Sequence, residues 1–317
     1  YKNKSEDLLY SVPVPAQTGV SNTSVTMNAA SMENSGFEFS ATYRNRDHAF
    51  KYDISANVST LKNKVTSLGI GKDSYITGAY ATYVGQEIGQ FYGWVYEGIA
   101  RTQDELDGHA TQQGANVGDC LYKDISGPNG EPDGVIDAYD QTVLGSGLPK
   151  VNFGLSTHME YKGFDLNIST YGVLNYHVSD DIYNSLNSCY GYGNKEVGML
   201  DANRWSEDGS TYLSSVPRTY AANNATLAWN DLFSSRKIQN AAYWKIANVE
   251  LGYNFPDKWF GGYVSGVRLY VSAQNLYTFT GYHGYNVDYA GGTFTPGYNF
   301  CSFPSARTFM AGLHFTF

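Results

Sequence analysis

The feature that most limits how this chain can fold is a two-residue alternation that recurs along it and also ends it. In "RTFMAGLHFTF", residues 307–317, Phe309, Ala311, Leu313, Phe315 and Phe317 fall on one side. Thr308, Met310, Gly312, His314 and Thr316 fall on the other. Successive side chains of a strand point to opposite faces, so this spacing predicts a strand with one apolar and one polar face. A strand at a chain end frays unless it is tied into a sheet. This one is therefore expected to be paired, with its apolar face covered.

The same pattern appears in six other places. Phe37, Phe39, Ala41 and Tyr43 oppose Glu38, Ser40, Thr42 and Arg44, and Phe50, Tyr52, Ile54, Ala56 and Val58 oppose Lys51, Asp53, Ser55, Asn57 and Ser59. Val151, Phe153, Leu155 and Met159 oppose Asn152, Ser156, His158 and Glu160, and Phe164, Leu166 and Ile168 oppose Asp165, Asn167 and Ser169. Tyr243, Ala247, Val249, Leu251, Tyr253 and Phe255 oppose Asn248, Glu250 and Asn254. Val267, Leu269, Val271, Ala273, Tyr277 and Phe279 oppose Arg268, Ser272 and Gln274. With the opening segment "YKNKSEDLLY" and the last strand, this makes about eight strands.

The connections alternate too. "NRDH", "KG" and "PDKWFGGYVSG" are short, whereas 11–33, 63–149, 175–241 and 281–306 are long. An up-and-down sheet with turns at one end and loops at the other gives this order, as an outer-membrane barrel does. Tyr43, Phe50, Tyr52, Tyr161, Phe164, Tyr253, Phe255, Trp259 and Phe317 gather near the short turns, where an interfacial girdle belongs. Lipid would cover the apolar face, and closure of the barrel would remove the exposed edge of the last strand. A soluble β-sandwich also alternates, but its loops are not sorted by length onto opposite ends.

Composition agrees with an all-β class. Aromatics make up 15% of the residues, with 28 Tyr and 34 Gly, and helix-spaced Leu/Ala/Glu/Lys stretches are scarce. A net charge of -9 without a basic run argues against nucleic acid as a partner. Cys120, Cys189 and Cys301 have no metal-like spacing, and their pairing is left open. The opening residues read as the middle of a strand and carry no initiating Met, so a longer parent chain is expected.

The sharpest local motif is "DISGPNGEPDGVIDAYD", 124–140. Asn129, Glu131, Asp133, Val135 (by its carbonyl), Asp137 and Asp140 take the ligand spacing of a calcium loop, with Gly134 at the sharp turn and Asp124 as an alternative first ligand. A structural Ca²⁺ is one expectation, and an acidic Gly/Pro turn is the other. No catalytic motif appears, and Glu38, Asp53, His158, Glu160, Asp165, Glu250 and His314 read as polar lumen lining. Tyr92, Trp94, Tyr190, Tyr192, Trp205 and Trp229 lie in the long loops, as rings that stack on a ligand or that pack the loops themselves. The run "GQFYGWVYEGI" is expected to present an apolar docking surface.

"SEDLLYSVPVPAQTG", "SMENSGFEFSATYRN", "GQFYGWVYEGI" through "GDCLYKDISG", "YWKIANVELGYNFP", "RLYVSAQNLYTFTGY" and "FPSARTFMAGLHFTF" follow one another in this order. Together they resemble the C-terminal part of SusC/RagA-type TonB-dependent outer-membrane transporters of Bacteroidetes. The resemblance implies the last strands of a plugged barrel of about 22 strands. The plug and the TonB-contacting segment would precede residue 1, so that 1–317 is one portion of a single transmembrane barrel domain. It further implies external loops, a periplasmic C-terminus, a SusD-like lipoprotein partner, and import of an oligosaccharide or oligopeptide without enzymatic activity. The competing expectation is a secreted β-rich carbohydrate-binding module with no membrane span.

Overall fold

The computed structural model describes residues 1–13, 24–69, 71–189, 194–197, 205–206, 215–219, 229–260, 264–288, 291–300 and 302–317. Tyr190, Tyr192 and Cys301 lie outside them. Ten strands build the wall of the molecule. They are β1 (Lys2–Pro13), β2 (Ser24–Ser35), β3 (Glu38–Asn45), β4 (Phe50–Thr60), β5 (Lys62–Leu68), β6 (Val151–Tyr161), β7 (Phe164–Leu174), β8 (Tyr243–Phe255), β9 (Gly266–Thr280) and β10 (Thr308–Thr316). A seven-stranded antiparallel sheet runs β10-β9-β8-β7-β6-β4-β3, and a three-stranded sheet runs β1-β2-β5. No helix among the described residues is long and apolar enough to cross a membrane, so any crossing is made by strands.

The two sheets are one surface. β2 runs into β3 across residues 36–37, and β4 runs into β5 across Leu61, so β2–β3 and β4–β5 form a single long hairpin. At the junction Gly36 lies so close to its neighbour that an added Cβ would sit 1.9 Å from the Thr60 carbonyl oxygen. Only glycine fits such an approach. This corrects the sequence reading in two places. Much of 11–33 is strand rather than loop, and the strand of 50–60 continues past residue 62. In these upper segments polar residues fall on both faces, and the alternation that betrays a wall strand is lost.

Lys162 and Gly163 close the β6–β7 turn with φ of 48° and 88°. Two left-handed residues at the centre of a two-residue hairpin match its twist to the right-handed twist of the strands. The register is unbroken from Tyr161↔Phe164 to Val151↔Leu174. The apolar sets of β3, β4, β6 and β7 therefore share one face, as their spacing requires. On that face Phe153 covers Gly172, where an added Cβ would lie 2.5 Å from the ring.

β8 departs from the expected pattern. Its pairing with β7 jumps from Ser169↔Asn248 to Thr170↔Ile246, a bulge around Ala247. An extra residue reverses the side-chain parity above it. Tyr243, expected on the outer face with Val249, is turned inward and is 8% exposed, whereas Trp244 takes the outer face at 43%. Tyr243 joins a buried cluster with Val173, Tyr176, Val178, Ala241, Tyr282 and Val287 that fills the upper interior.

Aromatic rings mark both margins of the outer face. Near the short turns Tyr43–Tyr52 (5.9 Å), Phe50–Tyr161 (6.3 Å), Phe164–Tyr253 (4.7 Å) and Phe255–Trp259 (5.8 Å) form a band. Near the other end Trp244–Phe279 (5.3 Å) and Tyr277–Phe279 (4.7 Å) form a second. From Trp244 to Phe255, at roughly 3.3 Å per residue and about 45° of tilt, the bands stand roughly 25 Å apart, the height of an outer-membrane apolar belt. Alternation, sorted connections and two girdles together describe part of a transmembrane antiparallel barrel, and the secreted-module reading does not account for them.

Candidate functional site

Two regions carry functional groups, the polar face of the wall and the platform that the long loops build above it. On the wall, Arg268 of β9 donates to Asp165 of β7 at 3.0 Å and to Glu250 of β8 at 2.7 Å. Asn254 adds a 2.8 Å bond to the same aspartate. His158 of β6 reaches Asn167 at 2.6 Å and Glu160 at 2.8 Å, and Lys51 of β4 stands 3.8 Å from Glu160. Arg46 pairs with Asp53. These carboxylates were singled out as lumen lining, and the structure places them on that face opposite cations from neighbouring strands. A carboxylate held by a guanidinium is a poor general base. The arrangement fixes charge on a wall.

Higher up, Lys245 is 3% exposed and pairs with Asp288 at 2.5 Å, while the Tyr171 hydroxyl donates to the same carboxylate at 3.3 Å. These contacts tie the 281–307 connection to the wall. The bulge makes them possible, because it turns Lys245 inward. Residue spacing alone carries no signal for this group.

The platform has its own small sheets. One runs Thr142–Ser146, Gln90–Gly93, Tyr80–Tyr83 and Ser74–Thr77, and Cys120–Tyr122 pairs with Tyr96–Ile99. Trp94 and Trp229 flank Tyr122, at 6.5 Å and 6.1 Å between ring centres. The Trp94 indole donates to the Asp137 carbonyl at 3.0 Å, and that of Trp229 to the Gln113 carbonyl at 3.1 Å. Tyr122 donates to the Trp229 carbonyl. Burial pushes the Tyr122 phenol well above its ordinary value and the Cys120 thiol up to about 12. Trp205 lies over Gly118, where a Cβ would come within 2.3 Å of the ring. Tyr92 is half-buried with its ring 6.4 Å from Tyr83.

The expected apolar docking run is not an exposed surface. Phe91 is 0% exposed and Ile99 5%, because the run supplies strands to the platform and buries part of its apolar side within it. A pairing that residue order did not reveal holds three loop segments together. Arg218 grips Asp119 at 2.7 and 2.8 Å, and Asn230 donates to Asp119 at 2.8 Å.

In 124–140 the carboxylates hold backbone amides. Buried Asp140 accepts from Ile125 at 2.8 Å, Ser126 at 3.2 Å and Asp137 at 2.8 Å. Asp124 accepts from Gly134 at 2.7 Å, Asp133 from Val135 at 3.0 Å, and Asp137 from Tyr139 at 2.7 Å. Glu131 and Asn129 are exposed. Among the described residues no three His, Cys, Asp or Glu groups converge as metal ligands. Asp124 Oδ1 is the oxygen here that is buried without a partner.

No family model matches the chain. The whole chain is 32% identical to TonB-dependent receptor P3 of Formosa agariphila, covering 32% of that protein. It is 27% identical to TonB-dependent receptor SusC of Bacteroides thetaiotaomicron, covering 29% of it. The chain thus spans about a third of the length of the curated relatives it matches. In structure it is similar to a chain of the RagAB peptide transporter, with a TM-score of 0.77 and 22% identity, over 98% of this chain and 32% of that one. That likeness supports the fold, and the sequence relatives point the same way: over its whole length this chain is similar to TonB-dependent receptors, SusC among them, and it folds as part of a transmembrane barrel.

Proposed function

We propose that the protein to which this chain contributes imports a bulky nutrient across the outer membrane in a TonB-dependent manner. The nutrient is an oligosaccharide or else an oligopeptide, and a SusD-like surface lipoprotein works with the barrel. The observation that carries the reading is the two-ended wall. It has an apolar belt between aromatic girdles, a charged inner face, short turns at one end and a folded platform at the other. In this reading the platform is extracellular, the C-terminus is periplasmic, and the plug and the contact with TonB come from a part of the protein outside this chain. The loops 63–149 and 175–241 dock the lipoprotein through the outer faces of the platform. Tyr92, Trp94 and Trp205, each half-buried, are the described aromatics that remain candidates for the ligand, and Trp229 is buried in the platform core. A structural Ca²⁺ in the 124–140 loop, drawn from Asp124, Asn129, Glu131, Asp133, Val135, Asp137 and Asp140, stays part of the reading, supported by the buried, unpartnered Asp124 Oδ1.

The test is uptake by cells that carry the full-length transporter, supplied with panels of oligosaccharides and oligopeptides. The expected result is accumulation of one panel member that stops when the proton gradient is collapsed. Accumulation that survives the collapse would contradict energised import. Shortening 175–241 should release the lipoprotein on gentle purification while the barrel stays folded. Full co-purification after both long loops are cut back would place the docking surface elsewhere.

A further inference from the structure

Ser235–Lys237 forms a tight turn in the platform, and its two cations differ in how they are held. The Lys237 ammonium donates to the Asp231 carbonyl and stands 3.9 Å from the Asp231 carboxylate. No hydrogen bond or ion pair among the described residues engages the Arg236 guanidinium, although the side chain is partly buried. The groups around it are Cys120, Cys189, Tyr96 and Tyr122. Burial pushes the Cys120 thiol and the Tyr96 and Tyr122 phenols up, so these three are neutral at pH 7 and do not balance the charge.

The nearby carboxylates are engaged elsewhere. Asp231 accepts the Cys189 amide at 3.1 Å, and Glu196 holds the Asn187 amide group at 2.9 Å. A guanidinium taken out of water without a partner costs several kcal/mol in general terms, and its planar fork fits a carboxylate in two parallel bonds.

Arg236 and Lys237 both line a cavity of about 300 Å³ with Tyr96, Tyr183, Asn184 and Asn187. The volume is that of a small-ligand site. Aromatic edges and amide groups beside two cations suit a ligand that has a polar body and one anionic end. One face of Tyr183 is already covered by His283, stacked at 5.7 Å, which holds that ring in place.

We infer that this cavity is an anion site that takes the carboxylate of a small polar ligand on Arg236 and Lys237. An acidic sugar and the C-terminal end of a peptide share that chemistry. The site stands on the cavity and on a guanidinium that has no hydrogen bond or ion pair among the described residues, and does not depend on the import reading.

Binding is measured by calorimetry on the full-length transporter in detergent. The probes are D-glucuronate and N-acetylglycine, each beside its neutral counterpart, D-glucose and N-acetylglycinamide. The expected result is saturable binding of at least one carboxylate, tenfold or more tighter than its neutral counterpart. Tighter glucuronate assigns the sugar source, and tighter N-acetylglycine the peptide source. Arg236→Met is expected to weaken carboxylate binding tenfold or more, whereas Lys258→Met, an equal charge loss in a turn at the opposite end of the wall, leaves it unchanged. Arg236→Lys keeps the charge without the fork and should fall between, which preserves the test if the Met variant does not fold. Without ligand, Arg236→Met should not lower the melting temperature, since it removes an unpaired charge; a structural role would lower it. Equal affinity for charged and neutral probes, or full carboxylate affinity in Arg236→Met, would overturn the site.

Discussion

The wall and the platform are both sheet, yet they solve burial in opposite ways. On the wall the apolar residues stand out from the protein: Phe39 is 67% exposed, Val271 52% and Leu313 52%. On the platform they are withdrawn, as with Phe91, Ala100 and Cys120, which are all 0% exposed. The wall uses the bilayer as its core, while its polar face is held by ion pairs. The platform has water around it and must make a core from short strands and three clustered rings, closed by side chains such as Asp140 and Asp119 that satisfy backbone and side-chain donors. The same element type therefore obeys different sequence rules on either side of the upper aromatic band.

Substitutions can break that contrast, and the largest effect is expected on the wall. Val249 lies midway between Trp244 and Phe255 on the outer face, so Val249→Arg should cost about 2–4 kcal/mol of folding free energy in liposomes. Glu250→Gln, one residue away on the inner face, leaves Arg268 paired with Asp165 and should cost under about 1 kcal/mol. Urea unfolding of the two variants gives the comparison; equal costs would mean that the two faces do not meet different solvents.

On the platform, Asp140→Ala strands three amide donors and should cost about 2–3 kcal/mol, confined to the loop. Hydrogen exchange should show lost protection at Ile125, Ser126 and Asp137 with the wall unchanged. Unfolding of the whole barrel instead would show that platform and wall are one cooperative unit. Asp133→Ala makes a smaller test of calcium. It should abolish any Ca²⁺-dependent gain in protection of 124–140 while the turn persists in chelator, and a gain that survives would move the ion elsewhere.

The smallest effect concerns His177, just above β7. Burial holds its imidazole below the ordinary value. The unfolded chain then takes up a proton more readily than the folded one as pH falls through the ordinary histidine range near about 6.5, so local stability is present above that range and lost below it. Exchange protection near 177–180 should fall between pH 7 and pH 5, and His177→Gln should flatten the fall.

The wall was legible because lipid on one face demands strict alternation. The sets built on Phe39, Ile54, Leu155, Leu166, Leu251 and Leu269 all lie on the expected face. Tyr243 was misassigned because a bulge reverses parity without leaving a gap in the apolar pattern: Trp244 and Tyr243 are both aromatic, and either one suits a margin. β2 and β5 were missed because polar residues on both faces carry no period. The platform was mostly illegible for a related reason. Its contacts join residues far apart in the chain, as Cys120 to Asn230 and Asp119 to Arg218 do, and local spacing does not record them. For the cavity the sequence offers one trace, the adjacent basic pair Arg236 and Lys237 in a loop of an acidic chain.

β8 divides lipid from lumen, and the bulge at Ala247 inverts its faces. Spin labels placed singly at 243–246 and 249–252 in the full-length protein, reconstituted in liposomes, test this. Accessibility to oxygen, which concentrates in lipid, is compared with that to a water-soluble nickel chelate. Positions 249 and 251 should favour oxygen and 250 and 252 the chelate, and the order should invert above the bulge, with 244 and 246 favouring oxygen and 243 and 245 shielded from it. Chelate access at every position, or an alternation that continues without inversion from 251 to 243, would contradict it.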